Sequence, residues 1–202
     1  MGARDETQGM LLRHRPAKLG SQPDIPAPGF VHVGRSAVIL LRWLAANRVQ
    51  HVLVGPVGEA IRGLSVSLDA GEPGVPGTVA IVPAPYGRNV ERLCRALTAA
   101  HARVRLETLG ETRPVKLSEE KLLRGGRWAL RCGPHDLDIE GCPRGAARYQ
   151  ELVYEASSFE PASGLLVEVA SPEDLAYYAH LRATGSPPEI RVARATRQHL
   201  GA

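Results

Sequence analysis

Two spacings of apolar residues alternate along the chain. Helical spacing comes first: Val38, Leu41, Leu44 and Ala45 form a stripe that predicts a helix from Ser36 to Asn47, with Ser36 as its cap. The continuous apolar run His51-Val52-Leu53-Val54 predicts a short buried strand ending at Gly55. A helix is expected from Glu59 to Leu64, then a Gly/Pro-rich loop over 65–77. Thr78 to Val82 predicts a second strand, stopped by Pro83 and Pro85. Val90, Leu93, Leu97 and Ala100 share one face of a helix expected from Asn89 to His101.

The second half continues the mixture. Val104 to Thr108 alternates as a half-buried strand, and Leu117 to Leu123 predicts a short helix capped by Ser118. Trp128–Cys132 and Asp136–Ile139 predict two strands joined by a Gly133-Pro134 turn. A helix over Tyr149–Ala156 and a strand over Leu165–Val169 follow. Ser171-Pro172-Glu173-Asp174 carries a cap, an N1 proline and an acidic first turn, so a helix is expected to about Thr184. Pro187-Pro188 opens a last helix with Arg191, Arg194 and Arg197 in a basic stripe. The fold class is α/β in the α+β sense: a small mixed sheet flanked by helices, with helices at the C-terminus. Residues 1–29 read as a flexible, basic, Pro/Gly-rich tail, and 30–202 as one domain without internal repeats.

Composition narrows the class. The chain has 202 residues, of which 44% are hydrophobic and 23% charged, as expected of a globular protein. No apolar run approaches the roughly 20 residues that span a bilayer, so no membrane role is expected. The N-terminus lacks the apolar core of a secretory signal. Cys94, Cys132 and Cys142 form no CxxC pair, so the expected home is a reduced cytoplasm. The net charge is +4, with 25 Lys and Arg together. Arginine suits phosphate because its planar fork donates two parallel hydrogen bonds.

One cluster carries candidate chemistry. Asp136, Asp138 and Glu140 alternate, so their carboxylates fall on one face. Such a row repels itself unless it is solvated, paired with arginine, or bound to a hard cation such as Mg²⁺. His135 falls on the opposite face, with no second histidine in ligand register. Gly55-Pro56-Val57-Gly58 follows a strand but has neither the lysine of a P-loop nor the GxGxxG spacing.

The order of these segments resembles the nucleotidyltransferase superfamily, in particular the minimal bacterial type related to AbiEii-like toxins. The resemblance covers residues of about 36–200. It is carried by Val52-Leu53-Val54-Gly55, by Ala80 to Pro85 with Asn89 to Leu93, by Leu137-Asp138-Ile139 with the exit through Pro143, Gly145, Tyr149 and Leu152, and by Val167 to Leu175. It implies two carboxylates on the second strand and a third on a neighbour, together holding two Mg²⁺ ions. It also implies a Gly-Gly or Gly-Ser turn that presents N–H groups to phosphate.

The chain departs from that pattern where the metals would sit. Thr78 and Ala80 stand in place of the paired carboxylates, and Pro56 replaces the second glycine. Arg62-Gly63 stands where His-Gly is usual, and Asp138 alone survives as the third carboxylate. The resemblance therefore implies a catalytically inactive member, without cofactor, acting by binding a nucleotide, a nucleic acid or a protein partner. Gly55, Arg62 and Arg88 are its candidate binding residues. One alternative is an active Mg²⁺-dependent enzyme using Asp136, Asp138 and Glu140, with Asp69 or Glu72 swinging in. Another is a nucleic-acid-binding module relying on the Arg-rich surface and the basic tail, whose middle holds Arg13, His14, Arg15 and Lys18.

Overall fold

A computed structural model describes residues 16–20, 25–64, 77–106, 111–123, 126–141 and 146–184. A short 3-10 segment, Pro28–Val33, leads into helix α1 (Arg35–Ala46). Strand β1 (His51–Val54), helix α2 (Pro56–Ile61), strand β2 (Thr78–Pro83) and helix α3 (Gly87–Ala99) follow. Next come β3 (Arg103–Arg105), β4 (Thr112–Pro114), α4 (Glu119–Leu123), β5 (Trp128–Cys132) and β6 (His135–Ile139). The described chain ends with α5 (Tyr149–Glu155), β7 (Ser157–Ala162), β8 (Leu165–Val169) and α6 (Pro172–Thr184). The fold is mixed α and β, as the apolar pattern predicts.

The sheet is larger than expected. Eight strands run in the order β4-β3-β5-β6-β2-β1-β8-β7. β2 pairs antiparallel with β1 and parallel with β6, while β8 lies parallel to β1. β5 and β6 form the expected hairpin, with Cys132 opposite His135 and Gly133 at a positive φ in the turn. Val52, Leu53, Val54, Ile81, Leu130, Leu137 and Ile139 are buried in the centre of the sheet, in one core with Leu41 and Leu44 of α1. The core is continuous because the central strands carry apolar side chains on both faces.

Local chemistry explains most element boundaries. The Oγ of Ser171 accepts from the N–H of Asp174 at 3.2 Å, so the expected cap of α6 is in place. α2 begins at Pro56, earlier than expected, because proline fits the first helical position. Ser36 does not cap α1: Gly34 holds that position, and the Ser36 hydroxyl shares a 2.6 Å hydrogen bond with Nδ1 of His135. Residues 16–20, read as tail, lie against α1. There the Ala17 N–H donates to Oδ1 of Asn47 at 3.0 Å, and the Trp43 indole donates to the Ala17 carbonyl at 3.1 Å. Among the described residues no helix is long and apolar enough to cross a membrane. Arg13, His14, Arg15, Asp69, Glu72 and the Arg191/Arg194/Arg197 stripe lie outside the described residues.

Candidate functional site

β6 brings the three acidic residues into one row, with burial deepening along it. The side chain of Asp136 is 21% exposed, that of Asp138 3% and that of Glu140 2%. The N–H of Glu140 donates to the Ile81 carbonyl at 2.8 Å, which carries the β6–β2 pairing one residue past the strand. Register sets the neighbours. Thr78 lies beside Asp136 and Ala80 beside Asp138 on β2, while Arg131 lies beside Asp136 and Ala129 beside Asp138 on β5. The two positions where the resemblance asks for paired carboxylates thus adjoin the carboxylates that are present.

Guanidinium groups occupy the row. Arg131 holds Asp136 with both forks, at 2.7 and 3.2 Å. Arg105 bridges Asp136 at 3.1 Å and Asp138 by a short contact. Arg127 donates to Oδ2 of Asp138 at 2.8 Å and lies 3.6 Å from Glu140. Arg182, from α6, donates to Oε1 of Glu140 at 3.0 Å. Four guanidinium groups thus face three carboxylates. Burying a carboxylate without a partner is strongly unfavourable, and these pairings offset that cost. Among the described residues no group of three His, Cys, Asp or Glu side chains is arranged to hold a metal ion.

Gly55 joins the row through Arg182. Its φ is +85°, and a Cβ there would lie 2.0–2.4 Å from the Arg182 guanidinium. The turn after β1 is therefore filled by an arginine of the chain itself. Glu59 of α2 is buried nearby, and that burial raises its carboxyl pKa while the Arg182 charge opposes the rise.

The other candidates lie elsewhere. Arg62 donates to the carbonyls of Ala170 at 2.6 Å and Val169 at 3.0 Å, and its guanidinium sits 5.4 Å from the centre of the Phe159 ring. It fastens α2 to the end of β8. Arg88 is exposed in the first turn of α3, beyond the end of β2 at Pro83. Since His51 pairs with Pro83 and Val54 with Ala80, Arg88 follows the end of the sheet opposite to Gly55. Neither cysteine among the described residues offers a ready nucleophile: burial pushes Cys94 up to about 11 and Cys132 up to about 12.

Sequence reasoning found the acidic row but not its partners. Arg131 was within reach, because a two-residue turn at Gly133-Pro134 sets it opposite Asp136. Arg105 and Arg182 carry no local signal, since they lie 33 and 42 residues from their carboxylates. No family model matches the sequence, and comparison with curated proteins gives no match either.

Proposed function

We propose that the chain is a nucleotidyltransferase-like protein that has lost the two-metal reaction and acts by binding a phosphate-bearing ligand, a nucleotide or nucleic acid. One observation carries this reading: every carboxylate of the row is held by arginine, so the charge that Mg²⁺ would supply is already present within the chain. Thr78 and Ala80, beside Asp136 and Asp138, add no carboxylate that two divalent cations would require. The surplus of positive charge supports an anionic ligand. Arg103 stands directly opposite Arg131 across β3 and β5, and Arg103 is exposed. Arg131 is held by Asp136 and Arg103 donates to Thr112 at 2.7 and 3.0 Å, so a phosphate would add a partner shared by two guanidinium groups that already stand side by side.

Calorimetric titration with ATP, GTP, CTP, UTP and a single-stranded oligonucleotide, each with and without Mg²⁺, tests this. Binding is expected without metal, falling with salt and weakened in Arg103→Ala. Metal-dependent binding, nucleotide transfer, or no binding of any of these ligands overturns the reading.

A further inference from the structure

A second basic surface lies at the amino end of β1, the end of the sheet opposite to Gly55, and does not depend on the reading above. Helix α1 ends there in a tight turn. The N–H of Arg48 donates to the Ala45 carbonyl at 2.8 Å and that of Val49 to the Leu44 carbonyl at 3.0 Å. Such a turn needs a left-handed residue, and glycine is its usual occupant. Here it is Arg48, at φ +55°, one of two residues other than glycine with a positive φ among the described residues. The conformation costs backbone strain and sets an exposed arginine on the surface.

Two further arginines converge on it. Arg92 of α3 donates from Nη1 to the Arg48 carbonyl at 2.7 Å and from Nε to the Arg88 carbonyl at 3.1 Å. Asn89 locks the two segments together. It is buried, accepts the Gln50 N–H on Oδ1 at 2.7 Å, and donates from Nδ2 to the Gln50 and Ala84 carbonyls, each at 2.9 Å. Arg95 pairs with Glu91 at 3.8 Å, but none of Arg48, Arg88 and Arg92 has an ion-pair partner among the described residues. Arg88 and Arg92 are one helical turn apart, where like charges repel, and the first turn of α3 holds no acidic residue to offset them. The three guanidinium groups are thus gathered by neutral hydrogen bonds, with their charge left for an anion.

Two tyrosines adjoin the arginines. Tyr86, at the N-cap of α3, is 50% exposed, and its ring meets the Tyr149 ring edge to face, 6.2 Å apart at 82°. Both line a cavity of about 420 Å³ together with Gln50, His51, Leu166 and Glu168. Gln50, tied to Asn89, joins that wall to the arginines. Glu168 is acidic and disfavours phosphate on the tyrosine side, whereas a neutral planar base suits an exposed aromatic ring.

From this juxtaposition we infer a binding surface for single-stranded nucleic acid, with phosphates on Arg48, Arg88 and Arg92 and a base stacked on Tyr86. A single strand offers both chemistries at once, repeated phosphates and unpaired base faces. A duplex keeps its bases stacked inside, and an acidic peptide has no base to stack. The probe is a fluorescein-labelled oligothymidylate of about twelve nucleotides, titrated with the full chain and followed by anisotropy. Affinity is expected to fall with salt, with a logarithmic slope of about −2 for three phosphate contacts. Arg48→Gly is expected to weaken binding about fivefold at roughly 100 mM salt. It is also expected to leave the fold at least as stable in urea, since glycine suits φ +55°. Arg88→Gln is expected to act alike on binding, and Tyr86→Ala to cost about tenfold. A duplex of the same length, polyglutamate and phosphatidylserine vesicles are expected to bind more weakly.

The inference is overturned if affinity does not respond to salt, if Arg48→Gly and Tyr86→Ala leave it unchanged, or if any of those three comparison ligands binds as tightly. An Arg48 that served only the end of α1 predicts the reverse for Arg48→Gly, lower stability with unchanged affinity. Weakening in Arg103→Ala alone upholds the reading above and overturns this one, and weakening in Arg48→Gly and Tyr86→Ala alone does the opposite.

Discussion

The Glu140 carboxylate is buried with the Arg182 guanidinium 3.0 Å away, and that guanidinium also lies against Gly55, whereas Nε2 of His51, at the amino end of β1, is buried with no donor among the described residues. Both are polar atoms withdrawn from water. The first is held by Arg182 of α6 and Arg127 just before β5, although Nη2 of Arg182 is itself buried without a partner among the described residues. The second is left incomplete beside a cavity with an apolar rim. A carboxylate held by arginine stiffens the fold and resists a metal ion, while a buried acceptor without a donor is a cost the fold carries. The comparison therefore separates a buried carboxylate held by its partners from a buried imidazole nitrogen left without one among the described residues.

Arg182→Met is the strongest way to break that contrast. It leaves Glu140, with 2% of its side chain exposed, facing Arg127 at 3.6 Å as its one ion-pair partner among the described residues. Removing one partner of a buried pair costs about 3–5 kcal/mol, so urea unfolding is expected to show a loss in that range. A loss under about 1 kcal/mol would mean that water reaches Glu140 and that the network is not closed. Gly55→Ala comes next. It requires an alanine at φ +85° and ψ −164°, where a side chain also meets Arg182. That backbone region is nearly confined to glycine, and the expected loss is about 1–3 kcal/mol by the same measurement.

The pH dependence of stability sharpens the other side. Burial lowers the pKa of His51 in the folded chain below the ordinary 6.5. Below about 6.5 the unfolded chain takes up a proton that the folded chain resists, so this burial destabilises the fold as pH falls and has no such effect above 6.5. His135 acts in the same direction, since burial outweighs the pull of Asp136. Unfolding followed from pH 7.5 to 5 is expected to show stability falling with acid, less steeply in His51→Phe. An unchanged slope would mean that the His51 ring protonates freely and that its cavity is wet.

The parts of this picture that the sequence discloses are those with local causes. The central strands carry continuous apolar runs, and β5 and β8 fall where the pattern predicts them. The two strands that escaped, β4 and β7, are the two edges of the sheet. Thr112–Pro114 is three residues long and ends in proline, and Ser157–Ala162 contains Pro161, two serines and Glu160. Edge strands are built this way to discourage pairing with other chains, which also erases the alternation that would reveal them. The acidic row was legible for the opposite reason, because its spacing lies within five residues of one strand. Its arginines were not, because Arg105 and Arg182 meet it only through strand order and the position of α6. Arg62 and Arg88 adjoin motif segments in the sequence, but adjacency in sequence does not fix direction. Arg62 turns to the carbonyls of β8 and its exit, and Arg88 follows the far end of β2.

The smallest expected effect tests whether the closed face is uniform or graded. Arg131 is 41% exposed, and Asp136, at 21%, is also held by Arg105. An exposed pair is worth about 0–1 kcal/mol, because water competes for both charges and salt screens them. Arg131→Ala is therefore expected to cost under about 1 kcal/mol, with the difference from the unaltered chain fading at high salt. Glu140 at the other end of the same row has no such relief, so the two substitutions should differ severalfold along a single strand. Equal losses from Arg131→Ala and Arg182→Met would show the row acting as one rigid unit. Unequal losses in the expected order locate its rigidity at Glu140 and Gly55, and leave the Asp136 end, with Arg103 and Arg131 side by side, as the part of the face able to rearrange around a phosphate.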